Sequence, residues 1–338
     1  MTVTTFTAVL AGTVLLSLCV TLLLGRRLLP LLHKLKFGQT ILDIGPSWHK
    51  NKQGTPTMGG FMFIIGSFVC FLIAFVFSET VCHAGFLQEP RPTQVRLFAG
   101  LGLSLCCGMI GFADDYIKVV KKRNLGLTSR QKMGMQLLAG GAYAVLLHLT
   151  EADEIFVPFV GTVSLGWWFV PLCILVVAGT TNAVNLNDGI DGLCASVSLI
   201  VVLSFLVAGG ITYSYGQSLY AAALAGALAA FLVYNIHPAK VFMGDTGSLF
   251  IGGALCALAF GIGHPFLLIP FGIAYILDTL SVILQVSYFK LTHGKRLFKM
   301  SPIHHHFEMC GWKENKIVCV FSAITLICCA AALFVLAA

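Results

Sequence analysis

Ten long apolar stretches constrain this 338-residue chain more than any other feature of it. A hydrocarbon core about 30 Å thick is crossed by a helix of roughly 20 apolar residues. Stretches near that length run over Thr5–Leu24, Met58–Phe77, Leu97–Ala113, Met133–Leu149, Trp167–Ala183, Leu193–Gly209, Leu219–Tyr234, Leu249–Gly263, Pro265–Phe289 and Ile317–Ala338. Hydrophobic residues make up 57% of the chain and charged residues 10%, too little polar surface to clothe a water-soluble globule. The expectation is an all-α integral membrane protein of about ten transmembrane helices. No connecting segment is long enough for a second domain, so residues 1–338 read as one polytopic unit.

Orientation follows from Lys and Arg, which are retained on the cytoplasmic side in short loops. Nineteen of the 21 fall in the loops after stretches 1, 3, 7 and 9, and only Arg91 and Arg96 fall on the other side. This predicts cytoplasmic odd-to-even loops and both termini outside. The net charge of +7 then belongs to the inner face, where it attracts anionic headgroups and polyanionic substrates. A nucleic-acid partner is not expected, because no basic helix or binding motif accompanies the charge. The 12 cysteines lie mostly inside the stretches and form neither a disulfide framework nor a CxxC knuckle.

The remaining polar chemistry collects in the inner loops. Gly111-Phe112-Ala113-Asp114-Asp115-Tyr116-Ile117-Lys118 sets two adjacent carboxylates at the end of the third stretch. The helix dipole there favours cations, so a function would justify the acids; solvated carboxylates neutralised by Lys118, Lys121 and Lys122 are the plain alternative. Asn182, Asn185, Asp188 and Asp191 step by three and would form an oxygen-rich row if helical. Asn235 precedes Phe242-Met243-Gly244-Asp245-Thr246-Gly247-Ser248, which puts Asp245 at the mouth of a helix and an aromatic ring in a polar loop. Ser301-Pro302-Ile303-His304-His305-His306-Phe307-Glu308 holds three consecutive histidines that point in different directions and suit phosphate oxygens better than one zinc ion. Lys52-Gln53-Gly54-Thr55-Pro56-Thr57-Met58-Gly59-Gly60 resembles an anion-binding loop without being a Walker A sequence. A transporter needs polar groups near the midplane. Asp278 in the ninth stretch is the one clear example, and a buried hydrogen-bonding acid is its rival reading.

Taken together, the five segments resemble the polyprenyl-phosphate N-acetylhexosamine-1-phosphate transferases, from Lys52 to His306. Within that superfamily, Thr55–Gly60, Asn185–Leu193 and Ser301–Glu308 look specifically like the muramoyl-pentapeptide branch. The resemblance implies transfer of phospho-MurNAc-pentapeptide from UDP-MurNAc-pentapeptide to undecaprenyl phosphate, at the cytoplasmic face of a bacterial inner membrane, giving lipid I and UMP with Mg2+ as cofactor. It implies Asp245 as the metal ligand, Asp114 and Asp115 as the acidic pair near the carrier phosphate, and His304 and His305 as helpers at the diphosphate. Lys52, Thr57, Lys118, Asn182, Asn185, Asp188, Asp191, Asn235, Phe242, Asp278 and His306 are the expected substrate-binding residues. The family commonly has Thr where Asn187 stands. A homodimer stays open, as do a UDP-GlcNAc transferase and a transporter of phosphorylated lipids or nucleotides. The loop after the ninth stretch, with Lys290, Lys295, Arg296, Lys299, Lys313 and Lys316, suits a donor whose peptide bears carboxylates.

Overall fold

The computed structural model describes residues 3–34, 54–121 and 125–338. The expected Lys52, and the basic residues Lys36, Lys50, Lys122 and Arg123, lie outside them. Among the described residues, the helices α1 (Val3–Lys34), α2 (Gly60–Thr80), α3 (Arg91–Val120), α5 (Phe169–Asn187), α6 (Leu193–Ile211), α7 (Tyr215–Asn235), α8 (Gly244–Gly261), α10 (Ile273–Leu291) and α12 (Glu314–Ala337) are long and apolar enough to cross a membrane. A tenth long helix, α4 (Ser129–Leu149), is more polar in its first turn and packs between α3 and α5. All ten expected stretches therefore coincide with long helices.

Two expected boundaries are corrected. The third helix continues to Val120, so Asp114 and Asp115 sit inside it rather than at its cap. The ninth stretch does not begin as one helix: a single turn at Pro265–Leu267 and the short α9 (Leu268–Phe271) precede a break at Gly272, after which α10 starts. Proline supplies no N–H for an earlier turn, and glycine at the break accepts the change of direction.

The bundle is built around α8, whose residues from Thr246 to Gly261 are all buried. It packs most extensively on α3 and also against α5 and α2. Without a hydrophobic drive between helices in lipid, small residues let backbones approach closely. Gly111 of α3 is the clearest case, since a methyl group there would overlap the Asp245 carbonyl. The alanine-rich α7 is nearly as buried and carries α1, α2 and α6 around it. α10 and α12 instead expose apolar side chains such as Leu280, Ile283, Leu284, Leu326 and Ile327, as a lipid-facing surface should.

The two ends of the bundle differ. At one end, β1 (Glu154–Val157) and β2 (Gly161–Ser164) form an antiparallel hairpin, tied down by Phe156 N–H donating to Gly263 O at 2.7 Å. At the other, the chain leaves α10, turns, and re-enters as α11 (Ile303–Met309), which buries His304 and Glu308 one helical turn apart.

Candidate active site

The α11 end gathers nearly every polar motif. Asp245, in the first turn of α8, is where four helices meet. Its Oδ1 accepts from Asn185 Nδ2 of α5 at 2.8 Å, and its Oδ2 from Lys118 Nζ of α3 at 2.9 Å and Lys132 Nζ of α4 at 3.0 Å. Asp115 is buried and accepts from both Thr246 N–H (2.9 Å) and Thr246 Oγ1 (2.7 Å), so one helix caps the start of another. Asp114, also buried, accepts from Leu127 N–H at 2.8 Å and pairs with Lys118. Thr57 lies against the same point, because a side chain on Gly244 would meet both Thr57 Oγ1 and Asp115 Oδ2.

Oxygens of Asp114, Asp115 and Asp245 all lie within 4.8 Å of one another. Three hard carboxylates, Asp114 and Asp115 buried and Asp245 partly exposed, suit Mg2+, which takes few protein ligands and shares its shell with substrate and water. The residues fit the ion, with Lys118 and Lys132 holding the cluster's charge in its place.

Of the expected row, Asn182 and Asn185 lie on α5, Asp188 lies just past its end and Asp191 turns elsewhere. Asn182 donates to Gln136 Oε1 at 2.7 Å and Asn185 reaches Asp245, but the helix ends at Asn187. Asp188, just beyond, is half-buried. Burial and the nearby charges of Asp245, Asp115 and Asp191 push its carboxyl up to about 8. Asp191 diverges from the row: it accepts from His237 Nδ1 (2.9 Å) and Ala239 N–H (3.0 Å). Asn235 accepts from Gly192 N–H and donates to Val241 O, knitting two loops together. Phe242 is half-exposed, with its backbone paired to Pro56 and Gly59, so the Thr57 and Asp245 segments run side by side.

The three histidines separate as their spacing requires. His304 turns inward to Asp278, His305 Nδ1 donates to Glu308 Oε2 at 2.6 Å, and His306 Nδ1 accepts from Lys299 N–H at 3.1 Å. Asp278 is fully buried, with His304 Nδ1 at 3.0 Å from its Oδ2.

Lys132, Gln136, His237 and Glu308 were absent from the expected set. For Lys132 and Gln136 a signal existed. Thr128 and Gln131 form a capping box, with Gln131 N–H donating to Thr128 Oγ1 at 3.2 Å and Thr128 N–H to Gln131 Oε1 at 3.0 Å. That pattern starts the helix before Lys132, and the i, i+4 spacing then puts Lys132 and Gln136 on one face.

A family model for glycosyl transferase family 4 matches residues 97–262. The chain is 47% identical over 326 residues to the phospho-N-acetylmuramoyl-pentapeptide-transferase of Acetivibrio thermocellus, covering 95% of this chain and 93% of that one. This chain belongs to that family. The protein of the same name from Clostridium botulinum (strain Eklund 17B) is 47% identical over 309 residues, 91% of this chain and 90% of that one. The one from Clostridium perfringens (strain SM101) is 45% identical over 323 residues, 94% and 93%. Family membership extends over both the acid cluster and the α11 end, so the two belong to one molecule-wide match rather than a shared fragment.

Proposed function

We propose that this chain transfers phospho-MurNAc-pentapeptide from its UDP carrier to undecaprenyl phosphate, releasing UMP and leaving lipid I in a bacterial inner membrane. The observation that carries the reading is Asp245, an acid on which side chains from α3, α4 and α5 converge at one end of a membrane bundle. Such a meeting point suits a reaction between two polyanions.

Asp245, with Asp114 and Asp115 beside it, would hold Mg2+. Bound there, the ion supplies positive charge to the diphosphate and to the departing UMP. Lys118 and Lys132 add two cations that neutralise phosphate oxygens without reorganising during reaction. The carrier's phosphate has its second pKa near about 6 and is largely dianionic at neutral pH, so it attacks the donor's β-phosphorus directly without a strong base. Asp114 orients Lys118 and the Leu127 turn rather than acting as a nucleophile. The half-exposed Phe242 ring suits stacking on uracil. Lys290, Lys295, Arg296, Lys299, Lys313 and Lys316 are exposed around α11, where carboxylates of the pentapeptide would find them.

A cavity of about 320 Å³ between α5 and α10 supports a path for the isoprenoid chain. Its lining is apolar, including Leu172, Val176, Tyr275, Ile276 and Leu280, and it ends at Ala183, one turn from Asn187. Exposed Ile269 and Leu280 open it sideways toward lipid.

Purified protein in detergent with Mg2+, undecaprenyl phosphate and UDP-MurNAc-pentapeptide should release UMP, and kcat/KM should fall steeply when UDP-GlcNAc replaces the donor. Comparable kcat/KM values for both donors would move the chain to a UDP-GlcNAc transferase. The cytoplasmic placement of the site rests on the basic residues and is tested by cysteine labelling at two exposed positions: position 295 should react only from the cytoplasmic side and position 154 only from outside.

A further inference from the structure

Two histidines of α11 are held in the same way. His304 Nδ1 donates toward both oxygens of Asp278, each at 3.0 Å, and Asn187 Nδ2 donates to Asp278 Oδ2 at 2.7 Å. His304, Asp278 and Asn187 are all fully buried. His305 Nδ1 donates to the buried carboxylate of Glu308. The two rings lie edge to face with centroids 4.2 Å apart.

These bonds fix where the second nitrogen of each ring points. A side chain on Gly189 would run into Nε2 of His304 and lie 3.2 Å from Nε2 of His305. Both Nε2 atoms therefore converge beside the Asp188–Gly189 turn, whose neighbour Asp188 feels the charges of Asp245 and Asp115. Nε2 of His304 is buried and has no hydrogen-bond partner among the described residues. Buried polar nitrogens are almost always paired, so this one is aimed at a group from outside the chain. When both ring nitrogens carry hydrogens, Nδ1–H faces the carboxylate and Nε2–H is the donor left over. An anionic oxygen is the matching acceptor.

We propose that Asp278, braced by Asn187, and Glu308 are positioning residues that turn Nε2 of His304 and His305 together onto a phosphate oxygen of the substrate diphosphate. The assignment rests on the phosphosugar-transfer reading above. Neither carboxylate touches the reacting atoms; each acts through its histidine. Asn187 has a defined part, since its amide donates to Oδ2 of Asp278, one of the two oxygens that meet the His304 ring.

The test uses Asp278→Asn, Asp278→Glu and Glu308→Gln in the full-length protein, with melting temperature and gel filtration in detergent as fold controls. Asp278→Asn should lower kcat roughly 10- to 100-fold, the scale on which orienting partners of working histidines matter, with KM for both substrates within about threefold of wild type. Asp278→Glu should restore most of kcat, because the carboxylate returns. Glu308→Gln should lower kcat in the same sense and stands in for Asp278→Asn if that variant does not fold. A folded Asp278→Asn or Glu308→Gln with wild-type kcat overturns the assignment, as does a loss that appears in KM alone. An active wild type with unaffected variants sinks only this assignment; a wild type that cannot use UDP-MurNAc-pentapeptide sinks the transfer reading and this assignment with it.

Discussion

The acid-rich end and the hairpin end of this bundle both hold buried polar side chains, yet they use them oppositely. At the hairpin end, the bonds mostly fasten backbone: Arg96 Nε and Nη2 donate to the carbonyls of Ala152 and Glu154, and His264 Nδ1 to the carbonyl of Ile262, beside a His148–Asp153 pair five residues apart. At the other end, the bonds join side chains far apart in sequence, as Lys118 and Lys132 do on Asp245 and Thr246 on Asp115. Carbonyl-capping cations are spent on the fold. Cations that meet three carboxylates form a cluster that, on the proposed reading, would exchange partners with a phosphate and a metal.

The largest expected effect comes from removing the meeting point. Asp245→Asn should lower kcat by about a thousandfold or more while the purified protein stays monodisperse, since the change is isosteric and one amide oxygen remains to accept from part of the Asn185, Lys118 and Lys132 donor set. Near-normal turnover in that variant would erase the distinction between the two ends. Next, Lys132→Met keeps the apolar stem but removes one cation, and a drop in kcat of about 100-fold is expected in the same UMP-release assay. A fall below threefold would leave Lys118 as the cation that counts.

On the hairpin side, Arg96→Ala should leave kcat within about twofold and lower stability by about 1–3 kcal/mol, because two carbonyls lose a charged donor. A large kcat loss with unchanged melting would show that this end is coupled to catalysis. The smallest effect concerns pH. Asp188 is held up to about 8 in the folded chain from an ordinary 3.8, so over that window the native state keeps a proton that the unfolded state has released. Stability should therefore fall as pH rises through the window. Asp188→Asn should flatten the fall, by about 1–3 °C in melting temperature between pH 5 and pH 8. Parallel curves for the two proteins would count against the proton on Asp188.

The same contrast explains what the sequence made legible. Apolar length located the long helices, because each needs only its own residues to cross the membrane. Motif chemistry singled out Asp114, Asp115 and Asp245, which the fold brings together, although the helix-end argument for the first two does not apply, because α3 continues past them to Val120. The capping box before Lys132 was readable as well, but the charged run Ser129–Lys132 looked like loop and hid the first turn of α4. Pairings such as Asp278 with His304 or Asp191 with His237 have no local signature, being separated by 26 and 46 residues and chosen by how α11 and the α7–α8 loop fold back. The row on α5 failed at Asp191 for a related reason: spacing by three describes a face only while the helix lasts.

If the sideways cavity between α5 and α10 admits the lipid carrier, as proposed, it changes what concentration means for one of the two substrates. A group that enters through the flank of the bundle is met by diffusion within a sheet, so the quantity that saturates the enzyme is its surface density among neighbouring lipids. Adding inert detergent or lipid at constant bulk carrier would then slow the reaction by dilution in two dimensions, while the water-borne donor would continue to obey its ordinary molar scale.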